Sequence, residues 1–259
     1  MSYTSILVAD DSLLRTITLN RPERRNAMTP AMQMELIAVL EETAASNVRA
    51  LVLTGAGNAF CSGLDLSALQ AMPNQSAPEH RADAERIARL FLSLHELPMP
   101  SIAAVNGAAV AGGAGLATIC DFTLATPEAK FGFTEVRIGF VAALVSAFLM
   151  QQIGDKRARD LLLSGRILAA EEALRLGLAN EIVQPEELME RARALAVLLA
   201  ANSPQAIRAT KQLLAEQNKA WLDAAIVRAI EASVEARNRG DFREGIAAFL
   251  EKRKPEWGK

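Results

Sequence analysis

The chain has 259 residues and a mass of 27.8 kDa, which at about 150 residues per domain makes one large domain or two small ones. Hydrophobic residues are 51% and charged residues 22% of the chain, so disorder throughout is excluded. A net charge of −2 argues against a dedicated nucleic-acid binder, which carries a basic excess.

Two cysteines, Cys61 and Cys120, are too few for a disulfide framework and point to a reducing, cytoplasmic setting. With His80 and His95 as the histidines and no Cys-x-x-Cys, a metal site is not expected. The N-terminus lacks the basic and apolar regions of a signal peptide. Residues 97 to 120 carry no charge, a run long enough to span a bilayer. Pro98, Pro100, Asn106, Gly107, Gly112, Gly113 and Gly115 interrupt it, so a strand, a turn and a buried helix are expected there instead of a membrane span.

In chain order, residues 6–9 and 15–19 read as strands flanking an Asp10-Asp11 turn. Thr29-Pro30 reads as an N-cap with proline at the first helical position, and Met32, Leu36, Val39 and Leu40 follow at helical spacing. Residues 50–54, 101–105 and 122–125 are short apolar runs, expected as buried strands. The small residues 108–117 fit a closely packed helix, and 72–79 a surface loop. Helices are expected over 156–163 and 170–176, the second capped by Gly177, then a strand over 178–183. Beyond residue 186 the chain reads as helices over 186–200, 204–217, 221–238 and 242–251. This order predicts an α/β core over 1–185 and a helical region over 186–259.

Several familiar signatures fail. Gly107, Gly112, Gly113 and Gly115 do not form Gly-x-Gly-x-x-Gly, and there is no P-loop, no Gly-x-Ser-x-Gly elbow and no His-Glu-x-x-His. Two strand-to-helix junctions remain. One is Ala59-Phe60-Cys61-Ser62-Gly63-Leu64-Asp65-Leu66. The other is Asn106-Gly107 followed by Gly112-Gly113-Ala114-Gly115. Helix N-termini offer unpaired N–H groups and partial positive charge, so two converging ends can hold an oxyanion. Glycines at such junctions also serve turn geometry and close packing, and the residues alone leave both readings open.

These junctions, with Lys130-Phe131-Gly132-x-x-Glu135-Val136-x-Ile138-Gly139, resemble the crotonase, or enoyl-CoA hydratase/isomerase, superfamily. Leu19-Asn20-Arg21-Pro22 with Asn26-Ala27 is similar to its N-terminal signature. The segment from Glu244 through Phe249 to Lys252-Arg253 is similar to its C-terminal one. The resemblance implies a spiral of strand-strand-helix (ββα) repeats, then a helical trimerisation region, with assembly as a homotrimer or a dimer of trimers. It implies an acyl-CoA thioester as ligand and no metal or redox cofactor, coenzyme A being part of the substrate.

By the same resemblance, the N–H groups of Leu64 and Gly112 would polarise the thioester carbonyl. Cys61, Gly63, Asp65, Leu66, Ala27 and Gly113 would surround the acyl-CoA. Arg24 and Arg25 would reach its phosphates, and Phe249 and Lys252 would touch the nucleotide of a neighbouring subunit's ligand. Of the two glutamates that hydratases of the family use, the second matches Glu135. The first falls on Gly115, where there is no side chain. The implied activity is hydration of a 2-enoyl-CoA, with 3-enoyl to 2-enoyl isomerisation by one glutamate, or an idle acyl-CoA-binding homologue, as alternatives. Glycine at 115 with Glu135-Val136-Arg137-Ile138-Gly139 also resembles bacterial sequences grouped with 3-methylglutaconyl-CoA hydratases. Glu85 is a candidate for replacing the missing carboxylate. Cys61 reads as a small packing residue, Asp121 as structural, and His80 and His95 as surface or satisfied residues.

Overall fold

The computed structural model describes residues 3–258. It runs β1 (Ile6–Asp11), β2 (Leu14–Leu19), α1 (Pro30–Ala44), β3 (Ala50–Gly55), β4 (Ala59–Cys61), α2 (Leu66–Ala71), α3 (Ala77–His95), β5 (Ser101–Val105), β6 (Ala108–Val110) and α4 (Gly112–Ile119). Then follow β7 (Phe122–Ala125), β8 (Lys130–Gly132), α5 (Ala143–Ile153), α6 (Asp155–Ser164), β9 (Ile167–Ala169), α7 (Ala170–Leu176), β10 (Glu181–Ile182), α8 (Leu188–Ala200), α9 (Pro204–Arg237) and α10 (Gly240–Leu250).

Two sheets organise the molecule. The larger has the order β1-β2-β3-β5-β7-β10 and the smaller β4-β6-β8-β9. From β3 to β8, consecutive strands enter different sheets. β3, β5 and β7 stack in parallel in the first, while β4, β6 and β8 stack in parallel in the second. Helical segments close each pair, so the chain climbs as the expected ββα spiral. The central strands β3 and β5 are buried along their whole length, which is why they read as unbroken apolar runs.

Local chemistry sets the element ends. Thr29 Oγ1 accepts from Met32 N–H at 3.1 Å with Pro30 at the first helical position, and α1 buries Met32, Leu36, Val39 and Leu40. Gly177 ends α7 in the left-handed region at φ 85°, where glycine escapes the Cβ clash. The uncharged stretch resolves into β5, β6 and α4, and among the described residues no helix is long and apolar enough to cross a membrane.

Four expectations are corrected. Residues 108–110 form a strand and the helix starts at Gly112, because the segment pairs with both β4 and β8. The surface loop at 72–79 is instead a helical turn, Met72–Asn74, followed by the start of α3. There Ser76 and Glu79 form a reciprocal cap. The strand expected over 178–183 shortens to Glu181–Ile182. The two helices expected over 204–238 are one, α9. Nothing at 218–220 (Asn-Lys-Ala) stops a helix, since neither glycine nor proline interrupts it.

The C-terminal helices are part of the packing. Leu188, Ala192 and Ala196 of α8 cover Ala50, Val52, Ile102 and Ala104 of the large sheet. α9 lies against α3 and α5, and α10 against a helical turn at Glu135–Ile138.

Candidate active site

The first junction leaves β4 at Cys61 and turns at Gly63, whose φ of 91° favours glycine. Met28 clamps the next residues. Met28 N–H donates to Gly63 O at 2.7 Å, and Asp65 N–H donates to Met28 O at 2.9 Å, forming a parallel bridge to Leu64. In a parallel bridge the middle residue's own N–H and C=O point away from its partner. Leu64 therefore turns its N–H from Met28, and no backbone acceptor among the described residues takes it.

Asp65 is the N-cap of α2, accepting from Ser67 N–H at 2.9 Å and from Arg21 Nη1 at 2.7 Å. Burial would raise its pKa, but the hydrogen bonds from Ser67 and Arg21 outweigh it and hold the carboxyl below its ordinary range. Arg21 also bonds the Ala27 carbonyl at 2.6 Å, so this pair fixes the loop and is committed to structure.

The second junction leaves β6 at Val110. Ala111 sits at φ 51° and ψ −125°, a strained conformation for an L-residue, costing about 1–3 kcal/mol. Its N–H is tied to Gly132 O at 2.7 Å. Gly112, the first residue of α4, presents an N–H with no intrahelical acceptor. Gly113 decides the spacing of the junctions. A Cβ there would lie 2.2 Å from the Cys61 carbonyl oxygen, so only glycine lets the start of α4 abut the end of β4.

Both junctions open into one cavity of about 880 Å³, in the size range of small-molecule sites. Glu135 enters from the helical turn after β8. It is 8% exposed, its Oε2 has no hydrogen-bond partner, and burial raises its pKa from an ordinary 4.5 to about 7. A carboxyl so placed ionises and reprotonates near neutral pH. Two free N–H groups and one such carboxyl in an apolar cavity can stabilise an oxyanion and move a proton.

Of the residues named from the sequence, Arg24, Arg25, Ala27, Leu64, Asp65, Leu66, Gly112, Glu135, Phe249 and Lys252 all line this cavity. Cys61, Gly63 and Gly113 are not in its wall. Cys61 is fully buried behind it, its thiol pushed up to about 12, and the two glycines shape the junctions. Phe249 and Lys252 line the cavity of their own chain, because α10 folds back onto the turn that carries Glu135.

Among the described residues, none in the wall substitutes for the missing glutamate. A Cβ on Gly115 would meet Phe91 Cζ at 2.8 Å and Val145 Cγ2 at 3.0 Å, so apolar side chains fill the space. Glu85 faces out, half exposed and 3.9 Å from Arg81. The carboxylates among the described lining residues are Asp65 and Glu135. Asp121 is structural, accepting from Ser101 N–H at 2.8 Å and from Lys211 at 2.5 Å. His80 is buried, its Nε2 2.9 Å from the Met72 carbonyl, and His95 packs edge-on against Phe148. Sequence reading overlooked Arg237 and Ser233 of α9, which also line the cavity. An arginine on a charged helix reads as solvated, and only the burial of its helix face distinguishes it.

Comparison with known proteins decides the family: the model of enoyl-CoA hydratase/isomerase matches residues 10–259. The chain belongs to the enoyl-CoA hydratase/isomerase family. A relative from Thermus thermophilus named "Putative enoyl-CoA hydratase" is 46% identical over 242 residues, covering 93% of this chain and 96% of that one. The short-chain-enoyl-CoA hydratase of Clostridium acetobutylicum is 33% identical, covering 99% and 98%. Among solved structures, an enoyl-CoA hydratase/isomerase from Xanthobacter autotrophicus superposes with a TM-score of 0.89 at 31% identity, covering 97% of this chain and 98% of that one. The ββα spiral is thus the crotonase fold of this family, with its helical C-terminal region.

Proposed function

We propose that the protein is a 2-enoyl-CoA hydratase that handles the proton with a single carboxylate. The observation that carries this is Glu135, buried with a free oxygen and a pKa near 7, in one cavity with the Leu64 and Gly112 N–H groups. The thioester oxygen takes hydrogen bonds from both N–H groups. Ionised Glu135 removes a proton from a water as its oxygen bonds to C3, and the C2=C3 electron pair moves to the thioester oxygen as an enolate. Glu135 then returns the proton to C2, so one water is added and the carboxylate is regenerated. A pKa near the working pH suits a group that both takes and gives the proton. Aimed donors in a dry site stabilise the enolate charge by several kcal/mol. The named hydratase relatives support the same reaction.

Arg24, Arg25 and Lys252, exposed at the cavity rim, would hold the phosphates of coenzyme A. Arg25 and Lys252 both take positive φ, at 50° and 56°, a constraint that fixes where their side chains start. Assembly into trimers is part of the proposal. The exposed leucines 213 and 214 on the first half of α9 offer apolar surface for it.

One observation favours isomerisation of a 3-enoyl-CoA: Phe91 and Val145 fill the place of a second carboxylate. There Glu135 would take a proton from C2 and return it to C4. The deciding experiment is a paired assay on a 2-enoyl-CoA and its 3-enoyl isomer with products identified by mass. A gain of one water from the 2-enoyl ester supports the hydratase. Conversion of the 3-enoyl ester at constant mass, without hydration, refutes it in favour of the isomerase.

A further inference from the structure

Part of the cavity wall, built by α3 and α9, carries charge that the water chemistry does not use. Arg237, the last residue of α9, is 1% exposed yet lines the cavity. Its Nη1 donates to the His80 carbonyl at 2.9 Å and its Nη2 to Asp83 Oδ2 at 2.7 Å, both on α3. Its guanidinium carbon lies 5.4 Å from the centre of the Phe140 ring. Its Nε is buried with no partner.

Asp83 does not belong to Arg237 alone. Arg86 bonds its other oxygen, while Arg86 Nε donates to Gln33 at 2.7 Å. Two guanidiniums therefore share one carboxylate, and the cluster holds one positive charge in excess. The other acids on these two helices do not balance it. Glu79 caps α3 on Ser76, Glu85 and Glu231 pair with Arg81, Glu235 faces Arg239, Asp223 pairs with Lys219, and Glu216 accepts from Gln212. A buried excess charge is costly until a counter-charge completes it, and a buried N–H without an acceptor is a donor left open. Ser233, 3% exposed and one helical turn before Arg237, adds a hydroxyl to the same wall. Ile87, Phe91 and Phe140 make the rest of the wall apolar there.

We propose that this wall is an anion subsite in which Arg237 Nε and Ser233 Oγ receive a carboxylate at the far end of the acyl group, so that the preferred substrates are CoA thioesters of dicarboxylic enoic acids. The inference rests on the acyl-CoA reading of the cavity and names its substrate class. A terminal carboxylate fills the open donor and neutralises the excess charge, whereas a terminal methyl leaves both unmet. A site with a buried polar group rejects the analogue that cannot pair with it far better than an apolar pocket rejects an added group.

The test uses saturated esters that cannot turn over. Calorimetric titration of the full chain compares glutaryl-, adipyl- and pimelyl-CoA with pentanoyl-, hexanoyl- and heptanoyl-CoA. In at least one matched pair the carboxylated ester should bind about tenfold or more tightly, the margin set by one buried donor left unpaired. Arg237→Met should erase that preference. Ser233→Ala, which disturbs no ion pair, should reduce it several-fold and serves if the arginine variant fails to fold. Equal or weaker binding of the carboxylated member in all three pairs overturns the subsite and leaves the hydratase reading standing. Failure of every ester to bind overturns both.

Discussion

Replacing Glu135 by Gln separates what the carboxyl does for the reaction from what its charge does to the fold. Its folded-state pKa, about 7, lies above the ordinary 4.5 because burial disfavours the charged form. Protonation therefore favours the native state. The stabilisation is complete below 4.5 and is lost as the pH climbs through 7. The gap between the two values, at about 1.4 kcal/mol per unit, gives about 3 kcal/mol. Glutamine keeps the shape of the protonated side chain and never ionises. The Glu135→Gln chain should therefore be the more stable one in alkali, and its advantage should widen by about 2–3 kcal/mol between pH 5 and pH 9. Denaturant unfolding at fixed protein concentration, with slopes compared to check two-state behaviour, reads this directly. The same variant should lose about 10²–10⁴-fold in kcat as proton transfer is removed, while a saturated CoA ester still binds. A stability gap that does not change with pH, or a variant less stable than the parent at pH 9, would refute the buried, alkali-penalised carboxyl. Unchanged turnover would remove Glu135 from the mechanism.

Gly113→Ala puts a methyl group into the Cys61 backbone, which cannot swing aside as a side chain can. It should destabilise the protein by about 3 kcal/mol or more in urea unfolding. Where the variant folds, kcat should fall about 10²-fold as the two donors move apart. Gly115→Glu, which rebuilds the family's first glutamate, should not improve hydration. The new carboxylate meets Phe91 and Val145, and thermal unfolding at pH 8 should show a loss of about 3–5 kcal/mol, the range for an unpaired buried charge. A gain in kcat would show that the apolar wall yields more readily than its packing implies. Both cysteines are buried, with pKa values pushed up to about 12. A thiol reagent at pH 8 should therefore label neither until denaturant is added, and rapid labelling of the native protein would contradict this burial.

Strands buried on both faces, such as β3 and β5, were legible as apolar runs, and so were helix starts with strong caps, such as Thr29-Pro30. The smaller sheet was not. Its strands each have three residues, too few for an alternation to register. Residues 108–110 read as helix because small residues suit a closely packed helix, and they suit close strand pairing with β4 and β8 as well. The break expected within α9 failed because the half after Trp221 is held by packing of Leu222, Ile226 and Ala229, while the half before it continues as a solvated helix. Within the site, Glu135 and both junctions were recognisable because they sit in short contiguous motifs. Arg237 and Ser233 were not, since their place in the wall depends on which helix faces meet. That is set by long-range packing and leaves no local mark.

The cavity draws on residues near both ends of the chain, from Arg21 at one side to Lys252 at the other. During synthesis the Glu135 turn, the two junctions and the Arg21 loop exist well before α10 leaves the ribosome, yet the cavity lacks a wall until it does. A chain without α10 thus lacks part of the surface that would capture a ligand. Once bound, the ligand holds first and last segments together with a strength that grows logarithmically with its concentration.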